Sequence, residues 1–391
     1  MGTTELTGRR YDVAIAGAGI VGLAHAYEVV RRGLTAVIVE RDERPQGASV
    51  RNFGHGFVTA QAGEALDAAL EARSRWAELA REAGFWLGRT GSVLVARAED
   101  ELEVMREFAG RFGPEVAVLT RGEVLQRVPV AANGVRGGLW APLDCRVDPR
   151  EAVPAIARWL ADAGGVAFAW GTTCLGAEPG RLRTSRGDLV AERIVLAAGH
   201  DLDRLLPGVA DEAGLERCAL QMLRVAAPNG HAIEPAVLTG LALLRYSGFA
   251  SCPTLPTLRE RLGRDRPDLL AADVNLMLTQ RPDGDLVIGD THLYARTPGP
   301  FQDERLDDLL LAETAALLGA GRLLVRERWR GVYAHAPGRD FLVATPAPGV
   351  RAVAVTSGIG MTTALGLAPR VMDDLLSEPT CPLARRPPCD P

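Results

Sequence analysis

The sequence predicts an α/β fold in which a doubly wound, mainly parallel sheet is interleaved with a second, more antiparallel sheet. Three observations carry this. Tyr11–Ala16 (YDVAIA) and Thr35–Glu40 (TAVIVE) are short apolar runs suited to buried parallel strands. Between them lie a glycine loop and a helical pattern from Val21 to Arg32, stopped by Gly33. Two later strands that end in glycine, Ile194–Gly199 (IVLAAG) and Arg351–Thr356 (RAVAVT) with Ser357–Gly360 behind it, bring the chain back to the same sheet twice.

The remaining elements follow in order. Helical periodicity covers Gly63–Ala83, Asp100–Phe112, Thr120–Val128, Pro149–Ala163, Arg305–Leu318 and Thr363–Leu376. Strand patterns fall at Ser92–Ala96, Val166–Trp170, Arg181–Thr184 and Arg193–Ala197. Leu220–Ala226, Ala242–Tyr246, Asn275–Gln280 and Asp285–Asp290 read as strands of the second sheet. Discontinuous units are expected: 1–86, 148–220 and 325–378 for the nucleotide-binding unit, 87–147 and 221–324 for the substrate unit. The Pro- and Arg-rich stretch 379–391 is expected to be a disordered tail.

Composition narrows the chemistry. A chain of 391 residues is long enough for two units with well-buried cores. Its net charge of −5 argues against a nucleic-acid partner. All 44 Lys+Arg positions are Arg. A pyridoxal enzyme needs a Schiff-base lysine and a Walker-type loop needs its own, so both are excluded. Anion recognition falls to forked guanidinium groups. The six cysteines lie far apart with no C-x-x-C spacing, so neither a zinc site nor a redox dithiol is expected, and no metal. The apolar stretch from Val13 to Val30 contains three glycines and Glu28, so no membrane span or export signal is expected. A cytoplasmic location is the expectation.

Gly17-Ala18-Gly19-Ile20-Val21-Gly22 matches G-x-G-x-x-G, with a strand before it, a helix after it and Glu40 ending the next strand. Gly17 permits the tight turn, Gly19 lets the backbone approach a pyrophosphate, and Gly22 lets helix and strand pack closely. Glu40 can accept hydrogen bonds from ribose hydroxyls, and its charge would repel the extra phosphate of NADP. The motif alone does not separate NAD from FAD. The glycine-ended strands at Ile194–Gly199 and Arg351–Gly360 do, because nicotinamide dehydrogenases have no need of the second return.

Taken together, these segments make the chain resemble the glycine oxidase, sarcosine oxidase and D-amino acid oxidase superfamily of flavoproteins, from Tyr11 to Leu376. Gly47–Gly54 (GASVRNFG), Cys218–Arg224 (CALQMLR), Leu243–Tyr246 (LLRY), Gly289–His292 (GDTH) and Val355–Gly360 (VTSGIG) resemble a narrower family, usually encoded beside phosphonate-degradation enzymes. The resemblance implies an FAD-binding Rossmann-like domain interleaved with an antiparallel-sheet substrate domain, of glutathione-reductase-like, D-amino acid oxidase type. It also implies roles. Arg41 would follow Glu40 at the ribose. Ser49, Arg51, Asn52 and Gly54 would line the pyrophosphate and flavin edge, and Cys174 would meet the adenine. Ala198, Gly199 and Gly331 would lie against the cofactor. Gly358, Ile359, Gly360, Met361 and Thr362 would meet the flavin pyrimidine, where the last helix points its N-terminus at N1 and O2. Sarcosine oxidases attach FAD through a Cys ahead of a Tyr; Arg330-Gly331-Val332-Tyr333 has none, so non-covalent FAD is implied. They also place a Lys near the flavin, where this chain has Val287.

On the substrate side, Arg245 and Tyr246 would sit on a strand flooring the site, Arg245 forking onto a carboxylate or phosphonate. His292, Tyr333, His335 and His55 are the other candidates, with Gln221 and Arg224 weaker ones. The expected reaction oxidises the C–N bond of a small zwitterionic amine to an imine, which water hydrolyses. An aminophosphonate or its N-methyl derivative is the favoured substrate, with glycine or sarcosine as the alternative. Electrons would pass to oxygen or another acceptor. A flavin monooxygenase and a non-catalytic flavin sensor are the rival readings; the first would need a nicotinamide site, and only one G-x-G-x-x-G is present.

Overall fold

A computed structural model describes residues 7–379. The tail expected at 379–391 lies outside the described residues apart from Pro379, as do Cys381 and Cys389. In chain order, β1 (Arg10–Ala16), α1 (Ile20–Arg31) and β2 (Ala36–Val39) form the expected strand–helix–strand unit. Helix α2 (Gly63–Ala83), β3 (Ser92–Ala96), α3 (Glu99–Phe112), β4 (Ala117–Thr120), β5 (Gly137–Ala141) and α4 (Pro149–Asp162) follow. Then come β6 (Ala167–Ala169), β7 (Cys174–Glu178), β8 (Arg181–Thr184), β9 (Leu189–Leu196), β10 (Glu216–Val225), β11 (Ala236–Thr239), β12 (Met277–Gln280) and β13 (Leu286–Ala295). Helix α5 (Glu304–Leu318), β14 (Val325–His335), β15 (Phe341–Ala347), β16 (Val350–Val355) and α6 (Gly360–Ser377) close the fold.

The first sheet has the order β7-β8-β9-β1-β2-β6, with β16 beside β9 and β15 beyond it. Strands β9, β1, β2 and β6 run parallel. β1 is buried from Val13 to Ala16, and it reads as a near-continuous apolar run because helices cover one face and a second apolar layer the other. Val13 and Ile15 pack with Leu23 and Val29 of α1, Trp76 and Leu79 of α2, and Leu365 and Met372 of α6. Each such side chain contributes about 1.5–3 kcal/mol by leaving water.

The second sheet has the order β14-β10-β13-β12-β11-β3-β5-β4. It is antiparallel except where β11 pairs with β3. A small third sheet links His55–Gly56, Cys145–Val147 and Leu87–Gly88. The fold class is the one the sequence predicts, with two corrections that bear on the site. Ala242–Tyr246 is no strand: Gly240–Leu244 forms a 3-10 turn and Arg245 follows it in helical backbone conformation. The strand expected to end at Asp290 runs on to Ala295, so His292 lies within it.

Candidate active site

The first turn between β1 and α1 is shaped by what cannot fit there. Gly17 has φ of 106°, and a Cβ on it would lie 2.4 Å from the Ala197 carbonyl oxygen. A Cβ on Gly22 would lie 1.9 Å from the Gly17 carbonyl oxygen. The Ala18 N–H donates to Glu40 Oε2 at 2.8 Å and the Asp42 N–H to Glu40 Oε1 at 3.1 Å, which fixes the acid at the end of β2. The Ile20 N–H donates to Ser49 Oγ at 2.8 Å, bringing the Gly47–Gly54 loop over the start of α1. Gly19 supplies no side-chain cap, and it and Ile20 line the adjoining cavity, so the positive end of α1 borders that space.

A cavity of about 590 Å³ starts at this turn and ends on the second sheet. Of the residues singled out in the sequence, Gly17, Gly19, Ile20, Val21, Glu40, Arg41, Ser49, Arg51, Asn52, Cys174, Ala198, Gly199, Gly331 and Gly358 through Thr362 line it. So do His55, Arg245, Tyr246, His292 and Tyr333. Ala18, Gly22 and Gly54 stand behind the lining: a Cβ on Gly54 would meet the Val147 carbonyl at 1.9 Å, a packing role. The Asn52 side chain turns back on its own loop, donating to Ala48 O at 2.9 Å and accepting from Gly54 N at 2.7 Å. His335 is absent from the lining; its ring packs on Tyr294 at 4.4 Å. Gln221 points the other way, donating to Asp307 Oδ1 at 2.8 Å, and Arg224 is tied to Asp285 and Glu327. Both have structural roles.

Arg245 dominates the far wall. Its Nη2 donates to the Tyr333 hydroxyl at 2.7 Å and its Nη1 to the Tyr294 hydroxyl at 3.2 Å. Asp273 Oδ2 lies 3.8 Å away. Burial disfavours the cation, but its neighbours Tyr333, Tyr294, Asp290 and Tyr246 outweigh it and hold the guanidinium pKa well above its usual value. Burial pushes the Tyr246 and Tyr294 phenols up to about 12, so both stay neutral while Arg245 stays charged. His55 stacks on Phe57 at 5.0 Å and its Nε2 pairs with Ser92 Oγ at 2.7 Å. Burial lowers its pKa to about 3, leaving a neutral ring.

Two polar residues of the far wall, Asp290 within the GDTH segment and Asn275, are not marked by the sequence as site residues. Asp290 is 5% exposed, and burial raises its carboxyl to about 7 against the opposing field of Arg245. Asn275 Nδ2 approaches Asp290 Oδ1 at 3.4 Å, and Asn275 Oδ1 is buried with no hydrogen-bond partner. Their signal is a register shift that only the folded sheet displays.

The fold and this cradle define a dinucleotide-binding oxidoreductase. Residues 12–373 match the family described as DAO, FAD dependent oxidoreductase, and the chain belongs to it. FAD is its cofactor, and the enzyme is a flavoprotein oxidoreductase. The residues present fit that group: a glycine turn too tight for side chains at Gly17 and Gly22, an acid at the end of β2, and a helix start at each end of the cavity.

The glycine oxidase of Geobacillus kaustophilus (strain HTA426) is 29% identical over 214 residues, 50% of this chain and 56% of that protein. An opine oxidase subunit of Rhizobium meliloti is 28% identical over 219 residues, 51% of this chain and 58% of that one. The match thus spans little more than half the length of these curated relatives. The crystal structure of L-proline dehydrogenase from P. horikoshii shares the fold, with a TM-score of 0.77, 20% identity and 96% of each chain covered. Among the described residues no helix is long and apolar enough to cross a membrane, and no group of three or more His, Cys, Asp or Glu could hold a metal.

Proposed function

We propose that this enzyme oxidises the C–N bond of a small zwitterionic amine to an imine, which water then hydrolyses. The observation that carries the reading is Arg245, a permanently charged guanidinium in a cavity wall whose nearest carboxylate oxygen among its ion pairs is 3.8 Å away. A buried guanidinium that donates to phenol hydroxyls and stands 3.8 Å from the Asp273 carboxylate favours an anionic ligand that can accept directly from its fork. Tyr333 and Tyr294 orient its fork and keep phenol hydroxyls at its side. Phe53, Phe57, Leu220, Met222 and Met277 give the cavity apolar flanks that exclude water.

The loop Gly17–Gly22, Ser49 and Glu40 would hold FAD without a covalent bond, and the first turn of α6 would face its flavin end. FAD, when bound, supplies the two-electron acceptor for a hydride from the substrate carbon. The protein's own part is to bind the anionic group at Arg245 and so aim the amine-bearing carbon along the cavity.

We favour an aminophosphonate or its N-methyl derivative, because a forked guanidinium suits a tetrahedral dianion and because the GASVRNFG, LLRY and GDTH segments resemble the family encoded beside phosphonate-degradation enzymes. A glycine- or sarcosine-type amino acid is the second reading, supported by the relative named glycine oxidase. The test is anaerobic mixing of the yellow protein with 2-aminoethylphosphonate, its N-methyl derivative, glycine and sarcosine. The phosphonates are expected to bleach the flavin fastest. Faster bleaching by glycine or sarcosine would overturn the substrate preference, and bleaching by none of the four would overturn amine oxidation.

A further inference from the structure

An amine arrives at neutral pH as an ammonium ion, and its nitrogen has no lone pair with which to form a C=N bond. Something must take that proton. Strand β13 carries a bulge at the relevant place: Gln221 of β10 pairs with Thr291 and Met222 with Gly289, so Asp290 is the extra residue between them. A bulge re-aims one side chain out of the regular alternation. Here the re-aimed residue lines the cavity. Its backbone is locked to Asn275 by two hydrogen bonds, Asn275 N–H to Asp290 O at 2.9 Å and Asp290 N–H to Asn275 O at 3.0 Å. Asn275 also lines the cavity and its Oδ1 is buried without a hydrogen-bond partner, so with Asp290 this corner is rich in acceptors where Arg245 offers donors.

The neighbouring imidazole completes the arrangement. His292 Nδ1 lies 2.8 Å from the Asp273 carbonyl oxygen, which can only accept, so Nδ1 carries the hydrogen. The lone pair of the neutral ring is therefore on Nε2, which lies 3.6 Å from Asp290 Oδ2. At 3.6 Å the two are not hydrogen-bonded, but the ring turns an acceptor and not a donor toward Asp290, so it favours a proton arriving on that carboxylate.

We propose that Asp290 is the catalytic residue that takes the proton from the substrate's ammonium group, held in place by Asn275 and backed by His292 Nε2. The proposal rests on the amine-oxidation reading above. The Asp290 carboxylate becomes a carboxylic acid and the ammonium a free amine. The C–H bond then breaks with its electron pair going to the flavin, and the nitrogen lone pair forms the C=N bond. On product release Asp290 returns its proton to solvent. The groups facing Asp290 are Arg245 and Tyr246 from the turn after Leu244, Asp273 and Asn275 from the segment ahead of β12, Cys218 from β10, and His292 from its own strand. Burial brings the carboxyl up to about 7, with Arg245 lowering and Asp273 raising it, which suits a base working near neutrality.

The experiment is the pH dependence of anaerobic flavin reduction by whichever amine bleaches the wild type. Because the base acts when ionised, the wild-type rate constant at low amine concentration should rise through a limb near pH 7. In Asp290→Asn that limb should move up to the amine's own pKa. The rate should fall about 10²-fold at pH 7 and recover to near wild type above that pKa. An unchanged limb, or an equal loss at every pH, overturns the proposal. Should the variant fail to hold FAD, proton counting on the wild type decides. The α,α-dimethyl analogue of that amine has no hydrogen to give up. Its binding between pH 8 and the amine pKa should release no net proton if Asp290 keeps it, and release of one proton to buffer overturns the proposal. Absence of bleaching by any amine removes the reading beneath it, an outcome distinct from bleaching with an unchanged profile.

Discussion

The two ends of the cavity are built from different material. The nucleotide end is backbone: a turn at Gly17, the N–H groups of Ala18 and Ile20, and two carbonyls so close that no Cβ fits. The substrate end is side chain: Arg245, Tyr246, Asn275, Asp290, His292 and Tyr333 come from four separate stretches of chain. A backbone site tolerates little change in its glycines and much in its neighbours. A side-chain site can be retuned one residue at a time while the fold stays intact. The cradle should therefore fail as a whole, and the far wall by degrees.

The largest effect is expected at Gly22. A Cβ there would sit 1.9 Å from the Gly17 carbonyl oxygen and 3.1 Å from its carbon, backbone atoms with no flexible end to move. Gly22→Ala should purify colourless or fail to fold, read as flavin absorbance per chain and as thermal unfolding with and without added FAD. A soluble Gly22→Ala protein with full flavin content would break the contrast, because the cradle would then be plastic.

Arg245 comes next. Arg245→Ala removes a charged donor from a buried wall, worth about 3 kcal/mol or roughly 10²-fold in KM, while flavin content stays at the wild-type level. Arg245→Lys should lie between the two, since it keeps the charge and loses the fork toward Tyr294 and Tyr333. Steady-state kinetics beside a flavin count separates the two ends of the cavity. Loss of FAD in Arg245→Ala would show that they are one mechanical unit after all.

This difference in material also explains what could be read in advance. A demand on the backbone writes itself into residue type, so Gly17, Gly19, Gly22 and Glu40 announced the nucleotide end in one line of sequence. The far wall has no such signature. Arg245 and Tyr246 stood out as a pair, yet the apolar run Ala242–Leu244 that suggested a strand is a 3-10 turn packed into the core. A strand would alternate its side chains; the turn lets the adjacent Arg245 and Tyr246 both line the cavity. His335 shares the face of Tyr333 by strand alternation, but the Tyr294 ring stands against it. Asp290 and Asn275 depend on a bulge, and a bulge exists only relative to a partner strand. Nothing between residues 275 and 290 marks which register they adopt.

The smallest effect tests the same contrast from outside the cavity. Arg224 lies on β10, the strand that contributes Leu220 and Met222 to the lining, and sequence alone made it a candidate. Its guanidinium instead reaches Asp285 at 2.7 Å, Glu327 at 3.0 Å and Asp283 at 3.4 Å, further along the strand than the part that lines the cavity. The side chain is 23% exposed and two of the three acids are 40% and 41% exposed, so water screens most of what the network could contribute. Arg224→Ala should cost about 1 kcal/mol or less, a small drop in unfolding midpoint that shrinks further in high salt. KM and flavin content should not move. A change in KM without a change in stability would mean that the end of β10 outside the cavity communicates with the part that lines it. The division between a rigid nucleotide end and an adjustable substrate end would then have to be redrawn through the sheet itself.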